Sequence, residues 1–130
     1  MLVDVVISVY GDPPKGYSKR KDVIGVKQYM IIIPDSPTAE IGRYFNKVAD
    51  IINIFRTQGK RVFIHCHAGI SRSVSLLTAY YLKYKNGNLE ESLKYIKNKR
   101  PYIRPNDGFL VQLISFEKWL TDKNENPIDI

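Results

Sequence analysis

The chain has 130 residues, 44% of them hydrophobic and 25% charged, with a formal net charge of +7. That balance suits one compact globular domain and excludes the disordered and collagen-like classes. A single cysteine excludes an internal disulfide framework, and no basic-then-apolar leader or run of about 18 apolar residues is visible, so a reducing setting is expected, cytoplasmic or else nuclear.

Residues 2–9 (LVDVVISV) form a β-branched run that ends at Tyr10-Gly11-Asp12-Pro13-Pro14. The pattern predicts a strand entering a loop, with 11–22 an exposed basic loop. The stretch 29–33 (YMIII) is apolar on both alternating sets of positions, which predicts a buried strand in a sheet covered on two sides. It stops at Pro34-Asp35-Ser36-Pro37. Ser36 and Pro37 read as an N-cap and first helical position, and Ile41, Phe45, Val48, Ile52 and Phe55 recur at steps of four and three. A helix over 37–57, closed by Gly59, is expected.

Residues 61–65 (RVFIH) read as a third strand, and its continuous apolar centre predicts an interior place in the sheet. From Ser73 to Tyr84 a breaker-poor stretch predicts a helix that stops at Asn86-Gly87. Asn88 with Glu91 three residues on has the form of an N-cap and a reaching carboxylate, and Leu89, Leu93 and Ile96 extend the helical spacing up to Pro101. A last helix should run from Pro105 or Asn106 to Leu120, leaving 121–130 (TDKNENPIDI) as a loose tail. The order β, β, α, β, α, α, α points to an α/β layer sandwich.

Lys and Arg gather in 15–27 (KGYSKRKDVIGVK) and 94–104 (KYIKNKRPYIR). A basic surface favours acidic partners: phosphorylated proteins, nucleic acid or anionic lipid. Many of these side chains also fit plain solvated faces, and no nucleic-acid module is recognisable, so nucleic acid is not the favoured partner.

Residues 62–73 (VFIHCHAGISRS) hold the one cysteine and both histidines. After Cys66 the chain must turn tightly, and Gly69 permits the backbone angles such a turn needs. Backbone N–H groups of residues 67–72 at the start of the next helix can then face inward and, with the helix dipole, favour a phosphate-sized anion. Arg72 closes this ring with a planar guanidinium able to hold two phosphoryl oxygens at once. A thiol set beside a helix N-terminus and a fixed cation is the kind that acts as a nucleophile, so Cys66 is the candidate for covalent attack on phosphorus.

The run His65-Cys66-His67-Ala68-Gly69-Ile70-Ser71-Arg72-Ser73 resembles the signature of the cysteine-dependent protein phosphatases, and its Ala-Gly-x-Ser-Arg-Ser form that of the dual-specificity branch. Asp35-Ser36-Pro37 is similar to that family's general-acid loop. Residues 100–109 (RPYIRPNDGF) are similar to the segment in which an Asn braces the phosphate loop. The likeness runs from Val3 to Leu120.

The resemblance implies a three-layer α/β sandwich with a mostly parallel central sheet flanked by helices, and a single catalytic domain over 1–130. Cys66 becomes the nucleophile, Arg72 the phosphate clamp and Asp35 the proton donor. Ser73 eases departure of the sulfur, and His67, Ala68, Gly69, Ile70, Ser71 and Arg72 form the phosphate cradle. His65 and Asn106 support it. Family members usually carry a further N-terminal strand and helix before the segment resembling 2–9, so the expectation is either an unusually small member or a pocket wall supplied by the 11–22 loop or by a second subunit.

The implied activity is hydrolysis of phosphotyrosine and of phosphoserine or phosphothreonine in proteins through a cysteinyl-phosphate, with no metal and no cofactor. The same chemistry on RNA 5′-phosphates or phosphoinositides is the alternative, and a non-catalytic phosphopeptide-binding module the alternative of another class. Asp12 and, behind it, Asp107 are reserve acids. His65 and His67 flank Cys66 without a fourth ligand in sight, which speaks against a metal centre. Glu90 and Glu91 read as first-turn residues complementing a helix dipole.

Overall fold

The structure, a computed structural model, describes residues 3–12, 25–67, 70–85 and 87–125. Its strands are β1 (Val5–Tyr10), β2 (Lys27–Ile32) and β3 (Val62–Cys66), and its helices α1 (Phe45–Thr57), α2 (Arg72–Tyr84), α3 (Leu89–Lys99) and α4 (Asp107–Glu125). All described strand pairs are parallel, in the order β2-β1-β3, with Val5 opposite Lys27 on one side and Val62 on the other. The α/β architecture with a parallel sheet expected from the sequence is the one observed.

β1 is the middle strand, because only it pairs on both sides among the described residues. Its alternation sends Val5, Ile7 and Val9 into the core, almost fully buried, while Val6, Ser8 and Tyr10 on the other face are half-buried. Two sequence expectations are corrected here. The 29–33 strand is a flank of the described sheet and leaves Ile32 40% exposed, and the 61–65 strand is the opposite flank, with Phe63 44% exposed. Their continuous apolar runs serve two purposes: Ile31 and Ile64 meet the helices, whereas Ile32 and Phe63 point the other way, half open to solvent.

A larger correction concerns the helix expected over 37–57. Residues 37–39 form a turn, Ile41–Tyr44 a 3-10 turn, and the α-helix begins only at Phe45. Ser36 does not cap it; its Oγ accepts from the Thr38 amide at 3.4 Å, a weak local bond. The backbone of 35–42 is instead committed to contacts with the start of α4, which a helix beginning at Pro37 would not provide. The other end is as expected: Gly59 takes φ +75° just past α1, a conformation that other residues adopt at a cost.

α1 buries Phe45, Val48, Ala49 and Ile52 against β1 and α2. α4 buries Phe109, Leu113, Phe116 and Leu120, spaced four, three and four apart, so one stripe faces the core. Each fully buried aliphatic or aromatic side chain contributes about 1.5–3 kcal/mol, so this shared cluster is the main store of stability.

α2 packs against α1, α3, α4 and β3. It begins at Arg72, one residue earlier than expected. α3 is capped as expected, Asn88 Oδ1 accepting from the Glu91 amide at 3.0 Å, with Glu90 and Glu91 exposed in its first turn. α4 runs past Leu120 to Glu125, so residues 121–125 are helical and not tail. Residues 126–130 and the 13–22 part of the expected basic loop lie outside the described residues. No described helix is long and apolar enough to cross a membrane.

Candidate active site

Strand β3 delivers Cys66 to the C-terminal edge of the parallel sheet, the edge at which open α/β sheets hold ligands. The thiol is 8% exposed. Seven residues on, the start of α2 folds back over it: the Ser73 amide donates to Sγ at 3.4 Å, and the Ser73 hydroxyl lies 3.2 Å from the sulfur. An amide in the first turn of a helix has no partner within its own helix, so Sγ receives what would otherwise be an orphan donor. The structure thus brings Ser73 against Cys66 through both its amide and its hydroxyl.

Arg72, the first residue of α2, is 7% exposed. Its Nη1 donates to the carbonyl of Ile33 at 3.2 Å, just past the end of β2. A side chain at Gly11 would come within 3.6 Å of Nη1, so the bare backbone after β1 runs alongside the guanidinium. Among the described residues the Nε–H has no hydrogen-bond partner, and the ion pairs there are Lys83–Asp50 and Arg104–Asp107, neither of which reaches Arg72. A buried cation left without an anion marks a place for one.

The rest of the loop divides by what it touches. Ser71 is buried, its Oγ accepting from the Asn106 amide at 2.9 Å, while its carbonyl accepts from the amide and hydroxyl of Ser75. Ile70 is 41% exposed, and its carbonyl accepts from the Arg104 amide at 2.8 Å. His67 is exposed at the rim. Ala68 and Gly69 lie outside the described residues. His65 turns to the opposite face of the sheet, where Nε2 lies 2.7 Å from Ser8 Oγ and the ring stacks on Phe63 at 5.3 Å. It thus ties β3 to β1 beside the cysteine.

Of the three candidate acids, Asp35 is the one that Asn106 holds: Nδ2 donates to its Oδ1 at 2.8 Å. Asp12 is exposed after β1, and Asp107 pairs loosely with Arg104 at 3.5 Å. Asn106 bonds in both directions, since its Oδ1 also accepts from the Phe109 amide at 2.8 Å and so caps α4. Two residues absent from the sequence expectations complete the arrangement. Gly108 presses on Pro37 so closely that an added Cβ would sit 1.8 Å from its carbonyl oxygen, and the Gln112 amide bonds Ala39 and Gly42. The sequence signal for Gln112 was a lone polar residue inside the apolar run 109–114 (FLVQLI).

The family described as dual specificity phosphatase, catalytic domain, matches residues 3–119. The chain belongs to that family. Among curated phosphatases, it is 40% identical over 97 residues to human dual specificity protein phosphatase 5, covering 75% of this chain and 25% of that protein. It is 37% identical over 100 residues to the putative tyrosine phosphatase 123R of Invertebrate iridescent virus 6, covering 77% of this chain and 70% of the viral one. The chain thus spans about a quarter of the human phosphatase it matches. Among solved structures, the human tyrosine phosphatase-like serine/threonine/tyrosine-interacting protein superposes with a TM-score of 0.83 at 25% identity, over 92% of this chain and 79% of that one.

Proposed function

We infer that this chain is a protein phosphatase that hydrolyses phosphotyrosine and phosphoserine or phosphothreonine through a cysteinyl-phosphate. The observation that carries the reading is Arg72: a guanidinium 7% exposed, without a carboxylate partner and with a free Nε–H, on the same helix turn that directs an amide at Cys66 Sγ. A phosphoryl group would satisfy the guanidinium bidentately and present its phosphorus to the sulfur. The exposed rim residues Asp35, His67 and Ile70 favour a shallow mouth that also admits the shorter phosphoserine and phosphothreonine side chains.

In this reading Cys66 attacks phosphorus, the S–P bond forming as the bond to the leaving oxygen breaks, and Asp35 gives that oxygen its proton. Water then attacks phosphorus and passes a proton back to Asp35. The sulfur leaves as an anion stabilised by the Ser73 hydroxyl and amide, and inorganic phosphate is released. Arg72 and the loop amides carry the charge developing on the phosphoryl oxygens. A catalytic thiol must stay reduced, which agrees with a cytoplasmic or nuclear setting.

The test is Cys66→Ser, assayed on a small aryl phosphate and on phosphopeptides. Turnover should vanish while phosphopeptide binding, measured by calorimetry, stays close to that of the parent. Residual turnover within about tenfold of the parent would overturn the covalent route.

A further inference from the structure

We propose that Gln112 is a positioning residue for the proton donor, fixing the distance between the Asp35 segment and the phosphate loop from the second turn of α4. The proposal rests on reading Asp35 as the acid. Acid and nucleophile follow different strands, β2 and β3, and positioned proton transfer depends on sub-ångström placement. A tie between the two segments is therefore needed, and the 103–112 segment supplies it.

On one side this segment holds the loop, Arg104 N to Ile70 O at 2.8 Å and Asn106 N to Ser71 Oγ at 2.9 Å. On the other it holds the acid segment at three successive points: Asn106 Nδ2 on Asp35, Gly108 against the backbone of Pro37, and the Gln112 amide on Ala39 and Gly42. Asp35 itself is exposed, and the 35–40 backbone is irregular. A single side-chain bond to a solvent-facing carboxylate leaves the main chain free to drift, so the backbone contacts further along set its path.

Nε2 of Gln112 donates at 3.2 Å to the Gly108 carbonyl of its own helix, and beyond that helix Gln112 meets two backbone groups of opposite polarity. Its Nε2 donates to the Ala39 carbonyl at 2.9 Å, and its Oε1 accepts from the Gly42 amide at 2.7 Å. That amide belongs to the first turn of the 3-10 segment, whose N-cap residue Glu40 makes no side-chain cap. A primary amide carries its donor and its acceptor on two separate atoms, one for each of these groups. Glu in its place keeps the shape and the acceptor but loses the donor and repels the Ala39 carbonyl; Met keeps roughly the shape and loses both.

The experiment compares parent, Gln112→Glu, Gln112→Met, Asp35→Ala and the double variant Asp35→Ala with Gln112→Met. Readouts are thermal midpoints, and kcat and KM over aryl phosphates whose leaving phenols range from acidic to weakly acidic. The Gln112 variants should change KM by less than about twofold and leave kcat nearly intact for acidic leaving groups, while lowering it about tenfold for weakly acidic ones. In the double variant Gln112→Met should add no further leaving-group sensitivity, because it acts through Asp35.

A uniform loss across substrates, or no loss, in both Gln112 variants while Asp35→Ala is leaving-group dependent would overturn the positioning role alone. A flat response of Asp35→Ala would instead remove the acid assignment and this inference with it. Should Gln112→Met fold poorly, the near-isosteric Gln112→Glu decides the outcome.

Discussion

A guanidinium this deeply buried is unfavourable unless its N–H groups are met, and among the described residues Arg72 is bonded from Nη1 to Ile33 and has no partner on Nε. The shortfall makes sense as a site kept ready for a dianion. Lys at the same position would carry the charge as a point on a flexible stem, without the two-pronged geometry and without the hold on Ile33. Arg72→Lys should therefore keep the fold, with a thermal midpoint near the parent's, yet lower kcat/KM for aryl phosphates by roughly 10²–10³, the span for losing one preorganised donor. Steady-state kinetics beside a melting curve check both halves. At this scale the nine-residue run 65–73 was legible in the sequence because its chemistry is local. Cys66, Arg72 and Ser73 lie within two turns of chain, and a strand–loop–helix leaves them little freedom. Ser8 as the partner of His65 was not legible, since it lies 57 residues away across the sheet.

Elements meet at the start of α4, where Gly108 and Pro37 touch backbone to backbone. The Cβ of an Ala at 108 would fall 1.8 Å from Pro37 O and 2.5 Å from its carbonyl carbon, so something rigid must move. Gly108→Ala should cost about 1–3 kcal/mol of stability, as overpacking does. It should also push the Asp35 segment away from the loop, with a loss of kcat largest for poor leaving groups. Denaturant midpoints and the leaving-group series report the two effects separately. This contact also shows why the helix expected over 37–57 starts late. Ser36-Pro37 and the spacing of Ile41 and Phe45 satisfy helical rules, but 35–42 is held in turns by tertiary partners, and local propensity yields to them. The strands behave in the same way: an apolar run at 29–33 or 61–65 tells of burial on one face and cannot tell which strand lies in the middle.

Across the whole molecule, α1 and α2 are pinned on their outer side by Lys83, Asp50 and Tyr84. Lys83 Nζ donates to Asp50 and to Asn46, each at 2.6 Å, and the Tyr84 hydroxyl donates to Asp50. The bonds from Lys83 and then Tyr84 hold the Asp50 carboxyl below its ordinary value, and the bond to Asp50 pushes the Tyr84 phenol up to about 12. The signs give two windows. The Asp50 contribution is full above its unfolded value near 4 and is lost as pH falls through the lower folded value. The Tyr84 contribution is full below its unfolded value near 10 and is lost as pH rises from there to about 12. Tyr84→Phe should lessen the alkaline loss of thermal stability and leave neutral stability within about 1 kcal/mol, because the cluster is partly open to solvent, which screens its charges. Burial also raises the Tyr81 phenol, so some alkaline loss remains in that variant; a loss as steep as the parent's would remove Tyr84 as a contributor. The sequence alone determined the β, β, α, β, α, α, α order and pointed to the loop that holds Cys66 and Arg72 and to Asp35, because each is written in contiguous residues whose local geometry is constrained. The tertiary structure alone decided which described strand is central, where α1 begins, and how Gly108 and Gln112 meet the backbone of 37–42. Those outcomes depend on backbone groups about 70 residues apart finding partners, for which no local pattern codes.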